Sequence, residues 1–165
     1  MPKTTTAKSN RTRAVSVGTE SVAQILERER GSLIHDWLAL VEEQEDLMSI
    51  PLSYEDRTAR LPQLLADVIA RRHLDSLTKT PISVAASQHG DLRREQSYSV
   101  AMVVDESRLL QVCLFSTLHQ NTRELNFEKL LQDVVIIANE VDARLKQQIL
   151  RYIAVNAVGT TPKMH

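Results

Sequence analysis

With 165 residues, 42% of them apolar, the chain is long enough and apolar enough to bury the core of one domain. A net charge of −1 gives no reason to expect nucleic acid or an anionic membrane as partner, and the single cysteine, Cys113, excludes an internal disulfide. Four glycines and five prolines encode few turns, so the abundant Leu, Ala, Val, Glu, Gln and Arg favour helices over sheets.

Residues 1–18 read as a disordered basic tail. Lys3, Lys8, Arg11 and Arg13 stand there without an acid, among Thr and Ser that have little to bury. Four scattered cations attract phosphate only weakly and in a salt-sensitive way. A helical domain is expected over 19–157. Its first helix starts at Thr19 or Ser21, with Val22, Ile25, Leu26, Leu33, Trp37, Leu40 and Val41 at helical spacing. Gly31 interrupts this pattern and predicts either a bend or close packing against a neighbour. Residues 47–52 are an apolar connection. Ser53 with Asp56 marks the cap of a second helix burying Leu61, Leu64, Leu65, Val68 and Ile69. Pro62 either kinks that helix or opens its main segment.

Residues 75–81 form a polar turn. A third, weakly apolar helix runs from Ser83 to Gln96 along Ala85, His89, Leu92 and Gln96. Ser99 caps a fourth, which reaches Asn121. One of its stripes holds Val100, Val103, Val104, Leu110, Leu114 and Leu118; the adjoining one holds Met102, Glu106, Leu109 and Cys113. Asn126 caps a fifth. Phe127, Leu130, Leu131, Val134, Ala138, Val141, Leu145, Ile149 and Tyr152 keep its period for about 45 Å. That length exceeds a typical globular helix and suggests a protruding end, a dimer contact or a junction. Residues 158–165 read as a loose tail. The expected fold is all-α: an antiparallel bundle of about five helices with a long C-terminal helix.

No apolar run approaches the length of a bilayer span, the longest being Val134 to Ala138, and the N-terminus lacks the apolar core of a secretory signal. A lone thiol suits a reducing cytoplasm. No two of His35, His73, His89, His119 and His165 stand four apart, and no metal-binding motif appears, so no metal is expected. A haem held by one histidine needs no local motif, but Phe115 and Phe127 are the only phenylalanines to line its pocket. Cys113 lies on an apolar face and reads as an inert packing group. There is no Gly-rich phosphate loop and no Gly-x-Ser-x-Gly elbow, so no catalytic residue and no cofactor are expected.

The stretch from His89 to Leu110 is the most informative. His89 and Arg93 share a helix face. Glu106 lies in line with Met102, Leu109 and Cys113, so it points inward and needs a partner, which Arg93 or Arg108 can supply. The cluster reads as a structural joint between the third and fourth helices, or as a ligand-sensing switch to which His89 adds pH sensitivity. A further reading makes His89 an exposed phosphorelay histidine, although the phosphotransfer spacing of Lys and Gly after the His is missing.

The same stretch resembles the N-terminal domain of the RsbRD family, co-antagonists of the RsbT kinase, whose relatives also precede some bacterial sensor histidine kinases. The family pattern is His-Gly, an Arg three residues on, Gln-Gly-Tyr, and then a helix with Glu-Tyr-Arg-Leu-Leu. His89-Gly90, Arg93, Gln96, Tyr98, Glu106, Arg108, Leu109 and Leu110 match it. Ser97 stands in place of the Gly and Ser107 in place of the aromatic. The likeness extends more loosely over 20–155, through Trp37 and Leu61-Pro62-Gln63-Leu64-Leu65. It implies a non-enzymatic input module of stress-response or two-component signalling, often a homodimer. Such a module usually feeds a C-terminal output domain, for which this chain has no room. The expectation is therefore action in trans on a protein partner, a kinase or regulator, or a chain that is a piece of a longer protein.

Overall fold

A computed structural model describes residues 20–70 and 83–158. The expected tail over 1–18, His73, the turn over 75–81, and His165 with the tail from Gly159 lie outside them. The helices run in the order α1 (Val22–Arg28), α2 (Arg30–Glu42), α3 (Glu45–Met48), α4 (Tyr54–Thr58), α5 (Leu61–Ala70), α6 (Val84–Glu95), α7 (Val100–Gln120) and α8 (Phe127–Val158). The protein is an all-α bundle with a long C-terminal helix, and the described residues contain no strand. A lone parallel bridge ties Glu20 to Leu125, with Glu20 N–H donating to Glu124 O and Asn126 N–H to Glu20 O. No helix among the described residues is long and apolar enough to cross a membrane.

Most helix starts follow their capping residues. Ser21, Ser53, Ser83 and Ser99 each accept from a backbone N–H three residues on, and Asn126 Oδ1 accepts from Glu128 N–H. The first expected helix is divided at Glu29, whose ψ of 5° bends the chain while the Leu33 N–H still donates to Glu29 O. The division falls two residues before Gly31, which lies inside α2, and the close packing expected there is absent, since a Cβ would meet nothing within 4 Å. The second expected helix is also divided. Pro62 is the second residue of α5, where its missing N–H costs nothing because no first-turn N–H has a partner within the helix. The apolar connection contains the short α3, which buries Leu47.

The core gathers Ile25, Leu26, Leu33, Trp37 and Val41 from α1 and α2, Leu61, Leu65 and Val68 from α5, and Val103, Leu110 and Leu114 from α7. Burying each Leu or Val stabilises the fold by about 1.5–3 kcal/mol. Arg28 clamps one end. It binds Glu20 and Glu29 beside it and reaches Asn121 Oδ1 at 2.8 Å and Glu124 at 2.7 Å. These acids hold its guanidinium pKa above the ordinary value, led by Glu29 and Glu124.

The inward face of α8 differs from the expected apolar stripe. Phe127 and Leu131 are 60% and 80% exposed. Val134, Ala138, Leu145 and Ile149 lie half-buried along the seam. The buried positions are Asp133, Ile137, Glu140, Val141, Arg144 and Gln148. Glu140 and Arg144, one turn apart, pair with each other, so both charges can be buried. A pattern search that follows apolar residues alone ranks such a face as solvent-facing.

Candidate functional site

Three segments build a buried polar network: the α4 region, the α6 C-terminus and the middle of α7. Arg93, wholly buried near the end of α6, is its centre. Its Nε donates to Glu106 Oε2 at 2.9 Å, and Nη1 donates to Gln96 Oε1 at 2.6 Å and to Asp56 O at 3.3 Å. Nη2 donates to Arg57 O. The guanidinium carbon also lies 4.9 Å from the centre of the Tyr98 ring, a cation–π contact. A rigid planar fork serves four acceptors at once, which a lysine ammonium cannot do.

Arg57 is a second buried cation and lies 3% exposed. It donates to Leu47 O, Ile50 O and the Tyr98 hydroxyl, at 3.3, 2.9 and 2.9 Å, and so ties the α3–α4 connection to the α6–α7 turn. The Tyr152 hydroxyl of α8 donates to Tyr98 O at 2.8 Å. Burial, then the Glu106 charge, pushes the Tyr98 hydroxyl up to about 12, so it stays protonated.

The α6 C-terminus sets Tyr98 in place. Tyr98 N–H donates to Arg93 O at 2.9 Å and Ser97 N–H to Arg94 O at 3.0 Å, the paired bonds of a Schellman motif. The motif needs a left-handed residue between them, and Ser97 has φ 65°. A Cβ is strained there, so Ser97→Gly should stabilise the protein by about 1 kcal/mol. Chemical denaturation would read this as a raised midpoint at unchanged slope. A lowered midpoint would show that the serine side chain contributes more than its backbone costs.

Glu106 and His89 are 3% and 5% exposed, and His89 Nε2 lies 3.4 Å from Glu106 Oε2. Trp37 Nε1–H donates to Glu106 O at 3.2 Å and anchors α7 to α2. Burial alone would raise the Glu106 carboxyl. The contact from His89 and the Arg93 charge outweigh it and hold the carboxyl below its ordinary value. Burial lowers the His89 pKa against the pull of Glu106, and Arg93 and Arg60 lower it further. His89 is therefore neutral, and the 3.4 Å approach of Nε2 to the carboxylate assigns its proton to Nε2.

A pH dependence follows. In the unfolded chain His89 takes a proton below about pH 6.5, while the native site resists it. Its contribution is fully present above pH 6.5 and is lost as pH falls from there toward the lowered native value. The slope is at most about 1.4 kcal/mol per pH unit. Glu106, also lowered, adds a loss of the same sign below its ordinary carboxylate range. His89→Gln should flatten the decline of stability between pH 6.5 and 5. Equal slopes for the two proteins in denaturation at stepped pH would remove this account.

Of the residues singled out from sequence, His89, Arg93, Gln96, Tyr98 and Glu106 meet in this network. Arg108 does not join it. It faces solvent, 55% exposed, 3.7 Å from Asp105, because two residues along a helix swing a side chain about 200° from Glu106, to the opposite face. His89 lacks the exposure that a phosphorelay histidine needs, and a carboxylate already faces its Nε2. Cys113 is buried and its thiol is pushed up to about 11, chiefly by burial, which keeps it an unreactive packing group. Among the described residues no three His, Cys, Asp or Glu side chains converge as metal ligands would.

The sequence reading missed Arg57, Glu140, Arg144 and Gln148. A signal for Arg57 exists in its spacing with Leu61, Leu64 and Val68, which puts it on the buried arc. The α8 trio keeps the same inward period as Ile137. These helices surround a cavity of about 30 Å³ walled by Trp37, Leu64, His89, Glu106, Ser107 and Arg144 among others. It is far too small for a porphyrin beside His89. Ser107, where the family pattern carries an aromatic, leaves part of this space open. No protein-family profile, curated protein or solved structure matches the chain.

Proposed function

We propose that the chain is a non-enzymatic regulatory input module of the stress-response or two-component type. It acts in the cytoplasm as a homodimer, through contact with a kinase or regulator supplied in trans. The observation that carries this reading is the outward face of α8. Leu131, Val135, Leu150 and Ile153, between 53% and 80% exposed, stand on one side of a 32-residue helix. By length α8 exceeds α7, the next longest, by about 16 Å. An apolar row of this kind on a long helix marks a contact surface. The network around Arg93 supports the same reading from inside. It joins His89, Arg93, Gln96, Tyr98 and Glu106 of the RsbRD likeness into one unit that couples α4, α6, α7 and α8, and its two buried arginines are taken up by carboxylate, carbonyl and hydroxyl acceptors.

The row also suits a second copy of itself. In an antiparallel pair, Val135 lies beside Leu150 and Leu131 beside Ile153 of the other helix. Each exposed Asp142 then comes within one turn of the opposite Lys146. A parallel pair would stack like charges on each other.

Sedimentation velocity tests this directly. A dimer is expected at micromolar concentration, and a Val135→Glu, Leu150→Glu double variant should sediment as a monomer with unchanged helix content. A wild-type protein that stays monomeric at hundreds of micromolar would overturn the dimer and with it the assigned use of α8.

A further inference from the structure

α6 is held in a different way from its neighbours. Its buried residues are Ala86, His89, Gly90 and Arg93, while Val84 is exposed and Leu92 half-buried. α5 by contrast buries Leu61, Leu64, Leu65 and Val68. Apolar burial therefore does little to keep α6 in place, and polar contacts do most of it. At its start the Ser83 N–H donates to Gln147 Oε1 at 2.9 Å, and the Ser83 hydroxyl donates to Asp67. In its middle Gly90 brings the backbone against Gln148 of α8, and Asp91 accepts from Arg151 at 3.0 Å. Toward its end Arg93 and His89 meet Glu106 Oε2 at 2.9 and 3.4 Å. A helix with so few buried apolar contacts opens before the rest of its fold.

The placement of His89 makes that opening sensitive to acid. Its Nε2 faces the Glu106 carboxylate, and its Nδ1 is buried with no hydrogen-bond partner. A second ring proton, placed on Nδ1, would have nothing to donate to while α6 is closed. The charges around the ring oppose it as well. Glu106 of α7 already carries Arg93 of α6, Arg60 ahead of α5 repels a charged ring, and Arg144 of α8, on the same cavity wall, is balanced by Glu140. A charged ring would thus be a buried cation in excess. When α6 lifts, the ring meets water and takes its proton in the ordinary imidazole range.

We infer that α6 is an acid-released latch: protonation of His89 holds it off α7 and α8 while the rest of the bundle stays folded. Acid favours the open form below about pH 6.5, where a solvated imidazole charges, and the closed form is favoured above it. The regulatory use of the latch rests on the reading of α8 as the contact helix, which α6 braces at Gln148 and Arg151. The latch itself rests on α6 and His89 alone, so it can be tested whether or not the chain dimerises.

Amide hydrogen exchange of the full chain labelled with ¹⁵N, corrected for the intrinsic rates, tests this at pH 7.5 and 5.5. Ordinary carboxylates stay ionised across that window. The α6 amides should share one opening constant, about tenfold or more above that of the α7 core at Leu110 and Leu114. That constant should rise by up to about tenfold from the higher pH to the lower, the ratio set by an imidazole that titrates only in the open form. His89→Gln keeps an N–H for Glu106 and cannot take a proton, so its α6 opening should be equal at the two pH values. Should that variant fail to fold, Arg151→Gln keeps the test alive. It removes the Asp91 pair without touching the titrating group, so α6 should open more at both pH values with the acid ratio preserved. Replacing the exposed His35 and His119 together by Gln should leave the ratio unchanged. One opening constant shared by α6 and the α7 core would mean that acid loosens the whole fold at once. An acid rise that survives in His89→Gln would place its cause elsewhere. Either result overturns the latch. A protein that remains monomeric while α6 responds in this way upholds the latch and removes only its use through α8.

Discussion

Arg93→Ala is expected to destabilise the protein by about 3–5 kcal/mol, the cost of removing one member of a buried ion pair. The substitution leaves the Glu106 carboxylate, itself 3% exposed, with only the 3.4 Å contact to His89. It also strips the donor from Gln96 Oε1, Asp56 O and Arg57 O. Against a total stability of about 5–15 kcal/mol, that loss brings an ordinary domain close to unfolding. Arg93→Lys should fall between, because an ammonium keeps the charge but cannot span the same acceptors. The informative partner is the double variant Arg93→Met, Glu106→Leu. It removes both charges and keeps most of the volume, and should recover much of the loss. Urea denaturation followed by circular dichroism reads all of these. An Arg93→Ala protein with the wild-type midpoint would show that the pair holds nothing together.

The second large effect falls on Gly90. A Cβ at this position would lie 2.7 Å from Gln148 O, 3.1 Å from Gln148 Cα and 3.2 Å from Gln148 C. All three are backbone atoms of α8, so no side chain can swing aside, and the two helices must part. Overpacking of this kind costs about 1–3 kcal/mol, while alanine regains up to about 1 kcal/mol of helix propensity. The backbone obstacle places the clash at the upper end, and a net loss of about 2 kcal/mol is expected. Separation of α6 from α8 would also loosen the Arg151–Asp91 pair at 3.0 Å and the Tyr152 bond to Tyr98 O. Gly31→Ala is the matched control. Nothing lies within 4 Å of its Cβ, so the propensity term alone should act and raise stability by up to about 1 kcal/mol. If both substitutions moved the midpoint in the same direction, close α6–α8 contact would not be what Gly90 provides.

Residue order alone carried the helices, because capping serines and apolar spacing act over one or two turns. Ser83, Ser99 and Asn126 mark the starts of α6, α7 and α8, and Gly31 and Pro62 stand just inside α2 and α5, the segments that follow the two divisions. The inward direction of Glu106 was equally legible, since it shares a period with Leu109 and Cys113. Other features depended on contacts between residues far apart in the chain. Arg57, Tyr98 and Arg93 come together across 41 and 36 positions. The choice of Arg93 over Arg108 rested on which guanidinium the crossing of α6 and α7 brought to the carboxylate. The burial of Glu140 and Arg144 in place of the apolar stripe of α8 was likewise a tertiary outcome, as was the cavity beside Ser107.

Local forces set where each helix begins and which arc is mostly apolar. Whether a charge on that arc can be buried depends on a partner that only the folded neighbours supply.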